Sequence, residues 1–203
     1  TAADAAGNVS ATSGTNTFTV DSLAPLAPTV SAPADGSTVT TTTPTVSGTA
    51  EANSTVTVRV DGLVVCTTTA TALGAFSCVS SALGQGAHTV NASAADAAGN
   101  VSPTSNTNGF TVDSVAPAAP TVSAPANGAS VATTTPTVSG TAEANSTVTV
   151  RVDGLVVCTT TATAAGAFSC TSSALGQGSH AVSATAADAS GNVSPASAAN
   201  TFT

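Results

Sequence analysis

The stretch VSGTAEANSTVTVRVDG, residues 46–62, decides the fold. Within it Val56, Val58 and Val60 alternate with Thr57 and Arg59, the period of two that places one set of side chains on each face of a β-strand. Just upstream, Val46, Gly48 and Ala50 form a second alternating set, on a strand expected over 45–50. The same seventeen letters return at 138–154.

Working outward from this stretch, further short segments read as strands: 27–31, 63–69, 75–80, 88–95 and 108–112, with a turn near 72–74. Val90, Ala92 and Ala94 share one face of the sixth, and Phe110 and Val112 face inward on the last. Seven strands per unit predict an all-β chain of tandem immunoglobulin-like β-sandwiches arranged end to end. The core this pattern supplies is thin: Val, Ala, Leu and one or two Phe per unit.

The unit repeats with a period of 92 residues, shown by Phe18, Phe110 and Phe202. Aligning 20–111 with 112–203 needs no gap, and 75 of 92 positions are identical. Residues 1–19 match 93–111 and 185–203, as the tail of a preceding repeat would. The organisation expected is therefore 1–22, a C-terminal strand remnant plus linker; 23–114, a first repeat; and 115–203, a second. The chain reads as a piece of a longer array. Each linker, VDSLAPLAPTV (20–30) and VDSVAPAAPTV (112–122), holds two Pro, which fix φ and favour an extended, semi-rigid joint. Each repeat should add about 40 Å to a rod, given ~3.3 Å per strand residue plus loops.

Composition narrows the function. Two Arg, no Lys and a net charge of −8 exclude a protein that neutralises a phosphate backbone. No apolar run reaches the ~20 residues of a spanning helix, so no membrane insertion is expected here. Charged residues make up only 6 %, and β-branched residues are abundant, unlike ordinary disordered chains. None of the motifs GxSxG, HExxH or GxxxxGK[ST] occurs, and no catalytic residue is expected. His88 and His180 open the sixth strand of each repeat with no nucleophile constellation around them. Arg59 and Arg151 sit on the outward face of the third strand, suited to a salt bridge or to solvent. The lack of Trp and Tyr weighs against a sugar-binding face, and the Thr ladders are too short for an ice-binding one.

Each repeat carries one cysteine pair, Cys66 with Cys78 and Cys158 with Cys170. The pair brackets a predicted hairpin turn, so that neighbouring strands would carry the sulfurs together as a disulfide. Such a bridge implies an oxidising, extracytoplasmic compartment. Metal binding and a pair of reduced buried thiols are the alternatives, and there is no CxxC spacing to favour metal.

Three motifs carry a resemblance: APTVSAPADG (27–36) and its copy APTVSAPANG (119–128), VSGTAEANSTVTVRVDG, and ADAAGNVSP (95–103) with ADASGNVSP (187–195). Together they resemble the tandem bacterial immunoglobulin-like (Big) repeats of large surface adhesins and biofilm-associated proteins. The resemblance implies a non-catalytic stalk or spacer at the bacterial cell surface or outside the cell, whose partners are neighbouring repeats and other copies in a fibre. The runner-up is a subunit of an extracellular filament assembled by lateral or strand-exchange contacts, in which residues 1–19 pair with an edge of another chain. The cysteine pair departs from the usual cysteine-free pattern.

Some adhesins of this family bind calcium between domains. The fixed acids Asp21, Glu51, Asp96 and Asn100, with Asp113, Glu143, Asp188 and Asn192 in the next repeat, are placed by topology at one pole of each sandwich, beside the linker. Hard cations take six to eight oxygens, and these side chains supply several. The alternative is that Asp and Asn shape the turns with no ion, and that Glu51 pairs with Arg59. No cofactor is required on either reading.

Overall fold

The computed structural model describes all 203 residues, and every regular element in it is a strand. Repeat 1 contains β1 (Thr29–Ala32), β2 (Ser37–Val39), β3 (Thr45–Thr49), β4 (Thr55–Val60), β5 (Leu63–Thr69), β6 (Ala75–Val79), β7 (Gly86–Ala95) and β8 (Asn108–Val112). Repeat 2 contains β9 (Thr121–Ala124), β10 (Thr137–Thr141), β11 (Thr147–Val152), β12 (Leu155–Thr161), β13 (Ala167–Thr171), β14 (His180–Ala187) and β15 (Asn200–Phe202). In repeat 1 a three-stranded sheet, β1-β3-β6, faces a five-stranded sheet, β2-β8-β7-β4-β5. Repeat 2 sets β9-β10-β13 against β12-β11-β14-β15.

The alternation read from the sequence becomes the core. Val56, Val58 and Val60 on β4 pack with Val46, Val90, Ala92, Phe76, Phe110 and Val112, all buried. Thr57 and Arg59 point to the other face, where Arg59 Nη1 donates to Ser93 Oγ at 3.1 Å on the neighbouring strand β7. That bond, rather than an ion pair with Glu51, occupies the arginine. Arg151 likewise donates to Thr185 Oγ1 at 3.3 Å.

Two expectations change. Repeat 1 has eight strands rather than seven, because β2 adds to the sheet edge parallel to β8, with Val39 opposite Val112. In repeat 2 the same edge shrinks to one parallel bridge, Ala129 with Phe202. The second change concerns β5 and β6. They do not form a hairpin: β5 is the edge of one sheet and β6 the edge of the other.

The close packing of β1 on β3 depends on Gly48. A Cβ built there would run into the Thr29 carbonyl oxygen and touch the Phe76 ring, so only glycine lets the strands approach. The same holds for Gly140 against Thr121. Overpacking of this kind costs about 1–3 kcal/mol. Gly48→Ala should therefore lower the melting temperature of repeat 1 clearly, while Gly84→Ala, where the added Cβ meets nothing, should do so far less; calorimetry of the two variants checks this.

Candidate functional site

The chemistry-bearing residues gather in three places: the joint between repeats, a His–Asp pair at the pole of each sandwich away from its own Asp96 or Asp188 loop, and a cysteine bridge along one edge. At the joint, Asp188 sits in the loop after β14. Its Oδ1 accepts from the Ser190 and Asn192 backbone N–H groups, both at 2.9 Å, which closes the tight Asp-Ala-Ser-Gly-Asn turn. Its Oδ2 accepts from Asn192 Nδ2 at 2.8 Å. These bonds hold the Asp188 carboxyl below the usual carboxylate range, the Asn192 side chain contributing most. Asn192 Nδ2 also donates to the Asp113 carbonyl at 3.0 Å, and Ser190 Oγ donates to Asp113 Oδ2 at 2.6 Å. The loop of repeat 2 thus grips the linker that enters it.

Repeat 1 grips the same linker from the other side. The Asp113 N–H donates to the Val39 carbonyl at 2.9 Å. Gln85 makes a two-way bond with Ser114: Nε2 donates to Ser114 Oγ at 2.7 Å, and the Ser114 N–H donates to Oε1 at 2.9 Å. Asp113 is therefore pinned by both domains, and Ser114 beside it by repeat 1.

The first linker shows half of this. Asn100 Nδ2 donates to the Asp21 carbonyl at 3.2 Å and to Asp96 Oδ2 at 2.8 Å, and Asp96 closes the same turn. Ala98 stands where repeat 2 has Ser190, so Asp21 receives no side-chain hydroxyl from the loop.

The structure brings Asp113, Glu143 and Asp188 to the walls of one cleft and joins Asp113, Asp188 and Asn192 by hydrogen bonds. Glu51 lines a separate cleft with Leu26 and Ala27. Nowhere do three His, Cys, Asp or Glu side chains converge as a metal-holding group. The Asp188 carboxylate is taken up by N–H donors, and Asn192 presents its amide nitrogen to both partners. Asp188, Asn192 and Ser190 thus form a hydrogen-bond clasp on Asp113.

The His–Asp pair was not legible as a site from the sequence. His88 Nδ1 lies 2.7 Å from Asp61 Oδ2, and Nε2 lies 3.0 Å from the Gly84 carbonyl. Asp61 Oδ1 also accepts the Thr89 N–H at 2.9 Å. Repeat 2 repeats it with His180, Asp153 at 2.6 Å and Gly176 at 3.0 Å. The signal available was the recurrence of Asp and His at one fixed spacing in both repeats. Both ring nitrogens face acceptors, so the imidazolium can donate twice and a neutral ring only once. Neither nitrogen is free to act as a base, and the pair serves to tie the β4–β5 turn to the loop that carries Gln85.

The bond to Asp61 raises the His88 pKa, and the bond to Asp153 raises that of His180. Asp61 is lowered chiefly by His88, and Asp153 chiefly by the Ala181 N–H and then by His180. A raised histidine adds stability that is complete below its unfolded value of about 6.5 and is lost as pH rises through the folded one. A lowered carboxyl adds stability that is present above about 4 and is lost as pH falls. Melting temperature should therefore peak between these ranges and decline on both sides; His88→Gln with His180→Gln should flatten the alkaline decline and leave a decline in acid.

The cysteines form Cys66–Cys78 and Cys158–Cys170, with Cα atoms 6.3 Å apart in each pair. The expected pairing is present, but its place differs. The bridge joins strands of opposite sheets along the open edge, because β5 crosses to β6 rather than turning back on itself. It clamps the two layers along this edge, beside the bond from the Ser81 N–H to the Val65 carbonyl at 3.2 Å in repeat 1 and from the Ser173 N–H to the Val157 carbonyl at 3.2 Å in repeat 2. Closing a loop of this length is worth about 3 kcal/mol on the chain-entropy model. Cys66→Ser with Cys78→Ser should cost repeat 1 about that much in denaturant unfolding, and thiol reduction of the unaltered chain should reproduce the loss.

Comparison with known proteins agrees with this architecture. The family model described as bacterial Ig-like domain matches residues 24–114, and that described as bacterial Ig domain matches 116–201. No curated protein matches the chain. Among solved structures, the fibronectin(III)-like modules of Clostridium thermocellum CbhA superpose with a TM-score of 0.55 at 18 % identity, over 86 % of this chain and 92 % of that one. A 1.5-MDa bacterial ice-binding adhesin shares 26 % identity over 87 % of this chain and 63 % of the solved one, with a TM-score of 0.42. The BSP domain of a biofilm-associated protein shares 23 % over 87 % and 29 %, with a TM-score of 0.36. The two matched spans take in both sandwiches, and the chain belongs to the bacterial immunoglobulin-like domain family as a tandem pair of its repeats.

Proposed function

We propose that the chain is a non-catalytic spacer of a bacterial cell-surface or secreted adhesin, a segment whose task is to hold its neighbours at a fixed distance and direction. The observation that carries this reading is the two-sided grip on Asp113 and Ser114, by Val39 and Gln85 from repeat 1 and by Ser190 and Asn192 from repeat 2. A tether needs no such grip; a rod does. The paired disulfides support an extracellular setting, since they persist in oxidising compartments. The resemblance to adhesin and biofilm-protein repeats points the same way.

The joint works through hydrogen bonds between small polar groups, and calcium is not needed for it. Spin labels on the two repeats, placed on outward positions of β4 and β11, should report a narrow distance distribution in the unaltered chain. Gln85→Ala combined with Ser190→Ala should broaden it without altering the melting of either repeat by more than a few degrees. Calcium and a chelator should leave both profiles as they are. A broad distribution in the unaltered chain would sink the spacer reading.

A further inference from the structure

We infer that Asn53 and Asn145 are acceptor sites for an N-linked oligosaccharide, one per repeat, at the pole where each sandwich meets the linker entering it. The pattern Asn-x-Ser/Thr, with x other than Pro, is the acceptor for such a glycan. It occurs at Asn8, Asn53, Asn91, Asn100, Asn145 and Asn192. The structure separates these six, because transfer needs a reachable asparagine amide and a reachable hydroxyl two residues on.

Four of them lack one or both. Nδ2 of Asn8, Asn100 and Asn192 donates to the carboxylate of Asp4, Asp96 and Asp188, at 2.9, 2.8 and 2.8 Å. The hydroxyls that follow Asn100 and Asn192 are those of Ser102 and Ser194, both buried. Asn91 lies half-buried within β7, its Oδ1 shut off from solvent. Ser93 beyond it is buried and accepts from Arg59.

Asn53 and Asn145 are exposed, and neither side chain is engaged in a hydrogen bond. Each takes the third place of a four-residue turn, Glu51–Ser54 or Glu143–Ser146, closed by the Ser N–H on the Glu carbonyl at 3.1 and 3.2 Å. Their φ values of 64° and 62° are in the left-handed region that Asn tolerates. The turn thus accounts for an asparagine and leaves its amide unused. Two residues on, Thr55 and Thr147 open β4 and β11 with exposed side chains. An acid, Glu51 or Glu143, stands two residues before each asparagine, and the other four sites have none there. Asp/Glu-x-Asn-x-Ser/Thr is the longer acceptor pattern that bacterial oligosaccharyltransferases read.

The donor is an oligosaccharide linked to a polyprenyl pyrophosphate. Nδ2 of the asparagine attacks the anomeric carbon. The carbon–nitrogen bond forms as the bond from that carbon to the pyrophosphate oxygen breaks. Polyprenyl pyrophosphate leaves, and one Nδ2 proton passes to a base of the transferase. The encounter rests on the extracellular setting proposed above, since the chain must pass the membrane that carries the donor. A glycan on Asn145 sits in the joint cleft, whose walls include Asp113, Val115 and Asp188. Val115 there is 62 % exposed, in the stretch between β8 and β9 that no strand covers. Asn53 has the same place beside the first linker, where Glu51 borders a cleft with Leu26. The 92-residue period therefore sets one hydrated chain over each linker.

The test incubates the folded full chain with a bacterial oligosaccharyltransferase and its polyprenyl-pyrophosphate-linked oligosaccharide, and reads intact mass. Two additions are expected. Asn53→Gln and Asn145→Gln should each remove one, and the double variant both. Thr55→Ala should remove the addition at Asn53 and Thr55→Ser should keep it, which separates an acceptor from a turn residue. An unmodified chain, or addition at the other four asparagines instead, overturns the proposal. The modified chain should outlast the unmodified one several-fold under elastase, which cuts beside small apolar residues. Equal cleavage within 113–120 overturns the placement over the linker. The spin-label distance between repeats is measured without any glycan, so failure here leaves the spacer reading to stand or fall by itself.

Discussion

The burial of Val112 at the end of β8 is the constraint from which the rest of the joint follows. Its side chain completes the core of repeat 1, opposite Val39 on the added edge strand. One residue later Asp113 is bonded to the loop of repeat 2. The strand that closes one sandwich therefore becomes, with no intervening loop, the strap held by the next. A sheet is stiff along its strands, so orientation set in one core is handed on to the following one. The prolines after Ser114 extend this by removing φ freedom where no neighbouring strand supplies it.

The scarcity of charge is part of the same arrangement. With no lysine and each arginine bonded to a Ser or Thr on the adjacent strand, the ion pairs present are those of His88 with Asp61 and His180 with Asp153. Exposed ion pairs contribute little and weaken with salt, whereas a carboxylate that accepts several backbone N–H groups is held locally and in a fixed direction. Asp96 and Asp188 are used in this second way. They order the turn that presents Asn100 or Asn192 to the linker, and the negative charge is spent on geometry within the domain.

The sandwich was legible because its strands alternate strictly. Val56, Val58 and Val60 leave no doubt about which face is inward, and the 92-residue repeat doubles each observation. The gathering of Asp113, Glu143 and Asp188 at the joint was legible for a related reason: strand order alone assigns loops to poles. What those residues do there was not legible. Whether Asn192 turns its nitrogen or its oxygen to Asp113 depends on a bond to Asp188 that sequence spacing does not display. The path from β5 to β6 was misread because a short turn between two strands looks the same whether the chain folds back within a sheet or crosses to the other one. The His–Asp pair was hidden because its members lie on different strands and bear on backbone groups, which carry no letter.

Near-identity of the repeats has a consequence for specificity. When 75 of 92 positions coincide, a core position in one repeat cannot distinguish its own closing strand from that of its neighbour. Discrimination must then come from connectivity, which gives the covalent strand a high effective concentration, and from register, which Asn108 and Asn200 set by reaching two carbonyls of their own repeat, one on its first strand and one on the proline just after it. A buried amide that must satisfy both carbonyls tolerates no slip of one residue, since that would reverse the strand's faces as well. Register is thus guarded by polar groups, while the identity of the strand is guarded only by the chain that carries it. The difference confines promiscuity to exchange of equivalent strands in a single alignment, and it follows that any association these repeats undergo by that route continues the geometry they already have.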